Sequence, residues 1–147
     1  MSHNAVKVLI IEDDPDVVEA MRIMLEAKGY EVSAAFEYEE GLKKTKDLLP
    51  NIILLDATLM LNDRSGLELP AAIRKDIATS HIPILMITAI NEDSPGFEFS
   101  PGDRDERLPI DDFMNKPAQP AELYRKIENL LKMKVSKWAQ SPGKQPS

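Results

Sequence analysis

VKVLIIEDDP, Val6 to Pro15, is the stretch that decides the fold class of this chain. Val6 to Ile11 is a nearly continuous β-branched and apolar run, which suits a strand buried on both faces, as a parallel sheet requires. The run stops at Glu12, Asp13, Asp14 and Pro15. Asp14 is placed to cap a helix through its side-chain oxygen. Pro15 fits the first helical position, where its missing N–H costs nothing. Val17, Val18, Met21, Met24, Leu25 and Lys28 follow at helical spacing, and Gly29 is a natural stop. Strand, acidic turn, helix: this is the repeating unit of an α/β domain.

Downstream the unit recurs. Tyr30 to Phe36 reads as a second strand, and Glu39 to Leu49 as a weaker helix with Leu42, Thr45 and Leu49 on one side, ended by Pro50. Ile52 to Leu55 is a third buried strand that ends sharply at Asp56. Ser65 to Lys75 reads as a helix whose interior Pro70 delays its true start or kinks it. Ile82 to Ile87 is a fourth strand ending at Thr88, and Phe113 to Asn115 a short fifth ending at Lys116. The last helix runs from Pro120 to about Trp138 with an apolar stripe through Leu123, Ile127, Leu130 and Leu131. Strands alternating with helices imply a doubly wound parallel sheet covered on both faces. Residues 1–139 are expected to form one domain. Residues 140–147, with little to bury, are expected to form a flexible C-terminal tail.

Bulk composition narrows the partners. Eighteen Lys and Arg against 25 Asp and Glu leave a formal charge of -7, which argues against direct nucleic-acid or anionic-membrane binding. With no cysteine, disulfides and thiolate metal sites are excluded. No apolar stretch approaches the ~20 residues that span a bilayer. The N-terminus lacks the basic and apolar segments of a signal peptide, so the cytoplasm is the expected compartment.

The chemistry lies in what ends each strand: Glu12 and Asp13, then Asp56, Thr88 and Lys116. In an open parallel sheet these ends share one edge, where ligands bind at the crevice where strand order reverses. Carboxylates crowded to ~4 Å repel by roughly 4 kcal/mol at an effective dielectric of 20, so their pKa values rise or a cation neutralises them. An all-oxygen site of this kind favours Mg2+, which takes one or two carboxylates and keeps several waters. Each residue also has a plainer reading. Asp56 can cap a loop, Glu12 and Asp13 can be helix-start acids, Thr88 a turn residue, Lys116 a solvated lysine and Phe113 a core aromatic.

IIEDDP, IILLD, ILMITA and DDFMNKP occur in that order at strand ends, and together they resemble the signatures of bacterial two-component response-regulator receiver domains, the CheY-like family. The resemblance covers about Val6 to Leu131. It implies a flavodoxin-like five-stranded sheet of order 2-1-3-4-5, an order taken from the family and not from periodicity. It also implies a phosphorelay function, in which a sensor histidine kinase passes a phosphoryl group to Asp56. By the same resemblance Asp13 and Asp56 ligate Mg2+ directly, Glu12 acts through water, and the carbonyl of Thr58 completes the protein ligands. Lys116 pairs with the phosphoryl group, Thr88 is the switch hydroxyl and Phe113 the aromatic that changes rotamer with it. A cis peptide is expected between Lys116 and Pro117. Catalysis beyond self-phosphorylation and slow self-dephosphorylation is not expected.

The chain departs from the family pattern in two places. Receivers usually carry a Pro soon after the acceptor; Met60 stands there, and Gly66 arrives late, so the loop 58–65 is longer. The interval from Thr88 to Lys116 is also long, and its interior holds Pro95, Gly96, Pro101, Gly102 and Pro109. The family's fourth helix is therefore expected to be missing or reduced to a turn, with 91–109 a partner-specific loop. Apolar Ile90 cannot orient a water, which predicts slow hydrolysis of the phosphoryl group. No output domain is expected after Lys116, so the chain is expected to act through a separate, unidentified protein target, as a phosphate relay or as a phosphate sink. Two other functions compete: a pseudo-receiver that binds without phosphorylation, and a Mg2+-dependent aspartyl-phosphate phosphohydrolase. The latter is disfavoured by Thr58, where a second Asp is wanted.

Overall fold

The computed structural model describes residues 5–56, 68–88 and 110–139, with backbone only for 68 and 134–139. Asp14 caps the first helix as its side chain accepts the Asp16 N–H at 2.9 Å. That helix, α1 (Pro15–Ala27), follows strand β1 (Lys7–Ile11) and ends before Gly29, whose φ of +85° reverses the chain at no steric cost. There follow β2 (Glu31–Ala35), α2 (Tyr38–Leu48), β3 (Ile52–Asp56), α3 (Glu68–Lys75), β4 (Ile84–Thr88), β5 (Asp112–Asn115) and α4 (Pro120–Ala139).

The five strands form one sheet in the order β2-β1-β3-β4-β5, every neighbouring pair parallel. The chain is thus a doubly wound α/β domain of the flavodoxin-like kind, with four helices among the described residues. Alternate residues of each strand feed opposite layers. Val8, Ile10, Ile52, Leu54, Leu85 and Ile87 pack with Met21 and Leu25 of α1 and Leu123 and Ile127 of α4. Leu9, Ile11, Ile53, Leu55, Ile84 and Met86 pack with Leu69 and Ile73 of α3, joined by Leu42 of α2. Each such buried side chain contributes about 1.5–3 kcal/mol relative to exposure, so the three inner strands β1, β3 and β4 anchor everything attached to them.

Helix α2 lies unusually close to β1. A Cβ at Gly41 would stand 2.9 Å from Cδ1 and 3.0 Å from Cγ2 of Ile11, so the glycine allows the helix to rest on the last residue of that strand. Leu49 was expected on the apolar side of this helix, but it is half exposed. Its φ of 47° makes it the left-handed cap, which turns it off the helix face. Strand β4 opens at Ile84, not Ile82, because Ile82 closes a turn, its N–H bonded to Thr79 O at 3.1 Å. Pro70 sits in the first turn of α3, where a missing N–H leaves no helical bond unmade. The expected loop in place of a further helix at 91–109, and the tail at 140–147, lie outside the described residues.

Candidate functional site

Parallel pairing brings the C-terminal ends of β1, β3 and β4 to one rim. Ile11 pairs with Leu55, and Asp56 with Ile87, so Glu12, Asp56 and Thr88 fall at adjoining positions along the edge. The Glu12 N–H bonds to Ala35 O at 3.0 Å, which ties the first residue beyond β1 to β2. Glu12, Asp56 and Thr88 are buried, at 1%, 2% and 4% exposure, whereas Asp13 faces solvent. One carboxylate oxygen from each of Glu12, Asp13 and Asp56 lies within 4.8 Å of the others.

Lys116 completes the group from the far edge of the sheet. Its N–H bonds to Thr88 O at 2.8 Å, and its Nζ lies 2.9 Å from Glu12 Oε1 and 3.1 Å from Asp56 Oδ1. The peptide bond to Pro117 is cis. The sequence placed Lys116 at this rim but did not foresee that one ammonium would bridge two carboxylates. Phe113 is half-buried, packed against the α2/α3 layer, with Lys126 Nζ 5.9 Å from its ring centre. Thr58 and Ile90 lie outside the described residues. His81 is exposed.

Burial pushes the Glu12 carboxyl up to about 7, aided by its hydrogen bond with Asp56 and only partly opposed by Lys116. For Lys116, burial is the largest influence and acts downward. The Glu12 hydrogen bond and the Asp56 charge outweigh it and hold the ammonium above the ordinary lysine value. Three carboxylates facing one ammonium leave two negative charges in excess if all ionise. Oxygen donors of that number and charge fit a small divalent cation, which would replace the proton that Glu12 otherwise retains. The arrangement is an acidic triad typical of a receiver Mg2+ site.

A doubly wound sheet with this rim defines a class, and comparison with known proteins gives its family. Residues 8–128 match the response regulator receiver domain, and the chain belongs to that family. It is 33% identical over 129 residues to the alkaline phosphatase synthesis transcriptional regulatory protein PhoP of Bacillus subtilis, covering 86% of this chain and 48% of that protein. It is 32% identical over 135 residues to hybrid signal transduction histidine kinase D of Dictyostelium discoideum, covering 92% of this chain and 8% of the kinase. The chain therefore spans half or less of the length of these relatives. The crystal structure of a CheY-like response regulator receiver domain protein from Methanospirillum hungatei superposes with a TM-score of 0.74 at 25% identity, covering 91% of this chain and 99% of the other. No helix among the described residues is long and apolar enough to cross a membrane.

Proposed function

We propose that this domain is a phosphoacceptor in a two-component relay, taking a phosphoryl group from the phosphohistidine of a sensor histidine kinase onto Asp56. The observation that carries the reading is the Lys116 ammonium 3.1 Å from Asp56 Oδ1, at the edge of the triad of carboxylates. An oxygen of the Asp56 carboxylate forms the new bond to phosphorus while the phosphorus–nitrogen bond breaks and its electron pair returns to the imidazole. Lys116 offers its positive charge to the transferring oxygens from the same pocket, and the Thr88 hydroxyl donates a hydrogen bond to the group once it is on Asp56.

Asp13 and Asp56 would hold Mg2+ directly and Glu12 through water, with the Thr58 carbonyl as the remaining ligand on the family pattern. The ion supplies charge neutralisation for the crowded carboxylates and the phosphoryl oxygens when bound. Burial of Asp56 and Glu12 excludes most water from the acceptor and strengthens these interactions. On the family pattern Phe113 would change rotamer with Thr88; its Cα partner on β4 is Met86, two residues before Thr88.

The test is intact-mass analysis after incubation with a small phosphodonor and Mg2+. The wild-type chain is expected to gain one phosphoryl group and Asp56→Asn none; equal gain by both would remove Asp56 from the role.

A further inference from the structure

Strand β5 carries Lys116 into the pocket, yet little in its own sequence fixes where it sits. It is an edge strand, and of Asp112 to Asn115 only Met114 is fully buried. A strand with so weak an inside–outside pattern specifies its register poorly, and a slip of one residue would turn every side chain to the other face. β4 and β5 run parallel, so no tight turn between them can set the register.

At the opposite end of the strands from the pocket lies a polar assembly that does set it. Asp111, just before β5, donates its N–H to Ile84 O at 2.9 Å and accepts the Ile84 N–H on Oδ2 at 2.8 Å. The same Oδ2 is held by Arg74 Nη2 at 2.5 Å. Arg74 Nη1 in turn donates to Ile82 O at 2.6 Å and Ser80 O at 3.0 Å, in the turn that leads into β4. The guanidinium fork thus joins the end of α3, the entry to β4 and the entry to β5. Both partners are mostly shielded, with side-chain exposures of 24% and 30%. Only a planar, multi-donor cation reaches all three oxygens together. From Ile84 and Asp111 the ladder counts without interruption to Thr88 opposite Asn115 and to the Lys116 N–H on Thr88 O.

We infer that Arg74 and Asp111 are positioning residues for the phosphoacceptor site: together they lock the β4–β5 register and so place the Lys116 ammonium beside Asp56. The inference rests on the phosphoacceptor reading for its kinetic consequence but not for its structural one. The acidic side of the pocket is carried by other strands, because Glu12 and Asp13 follow β1 and Asp56 ends β3.

The experiment uses the full 147-residue chain in four forms: wild type, Arg74→Met, Arg74→Lys and Ile73→Val. The last trims a fully buried neighbour on the same helix without touching the lock, and so controls for lost stability. With a small phosphodonor and Mg2+, Arg74→Met is expected to accept phosphoryl about tenfold more slowly, the scale of loss from small misplacements of a reacting group. Its Mg2+ affinity should not fall below wild type, because the three carboxylates stay on β1 and β3. Arg74→Lys, which can satisfy part of the fork, should fall between the two, and Ile73→Val should match wild type. A wild-type rate in Arg74→Met, or equal slowing in Ile73→Val, would overturn the assignment. Amide hydrogen exchange gives the independent arm: the Lys116 N–H should exchange about tenfold faster in Arg74→Met. If the wild type takes up no phosphoryl group, the phosphoacceptor reading fails, and this exchange alone decides the lock, an unchanged rate refuting it.

Discussion

The two sides of the pocket are held by different physics. Glu12, Asp13 and Asp56 follow β1 and β3, whose residues are buried almost without exception and sealed by helices on both faces. Lys116 follows β5, an edge strand with one fully buried residue, fixed at its start by a carboxylate and a guanidinium. Hydrophobic burial is strong but non-directional, while the polar lock is weaker but registers one strand against another. The anionic half is therefore built for permanence. The cationic half is built for placement, as the proposed acceptance of a phosphoryl group would require.

The comparison breaks first, and most heavily, in the core. Leu54→Ala, in the middle of β3, is expected to lower unfolding free energy by roughly 4 kcal/mol, and Met114→Ala on β5 by about 2, because an edge site relaxes more readily around the cavity. Urea unfolding of both variants measures this, and equal losses would erase the distinction. Next comes Lys116→Met, which removes the cation without disturbing either layer. Phosphoryl acceptance is expected to fall about hundredfold, as for loss of one oriented donor to a developing charge. Mg2+ binding should tighten, since a competing positive charge has gone; stopped-flow rates and calorimetry separate the two effects.

The smallest expected effect is the dependence on pH. The Glu12 carboxyl is raised from 4.5 to about 7 in the folded chain, so the native state binds its proton more tightly than the unfolded state. The resulting stability is fully present below about 4.5 and is lost as pH rises through about 7. Without divalent cations the wild type should lose on the order of 2 kcal/mol relative to Glu12→Gln between about pH 5 and pH 8. Unfolding midpoints at the two pH values, compared between the chains, give the number, and parallel curves would show that Glu12 does not carry the proton.

Much of the fold and of the pocket is legible in the sequence. The apolar runs marked the inner strands because full burial leaves a continuous signal. Asp14, Pro15 and Gly29 marked both ends of α1 because caps are local chemistry. The strand order came from resemblance, since periodicity carries no information on which strands adjoin. Leu49 misled because helical spacing cannot foresee a left-handed cap, and Ile82 because a buried residue in a turn looks like one in a strand. Arg74 and Asp111 went unnoticed as a pair: long-range polar partners 37 residues apart leave no periodic trace. Nor did the bridging position of Lys116 show in the sequence, where only its placement at a strand end could be read.

Lys116 is anchored at both extremities, its amide on the backbone of Thr88 and its ammonium on two acids from other strands. It spans the cleft as a strut does. Any event that alters the charge at its far tip changes the tension along it, and that tension is delivered to the margin of the sheet with the least apolar ballast. A change of charge in the pocket therefore bears on β5, an edge strand with one fully buried residue that Arg74 and Asp111 hold at its other end.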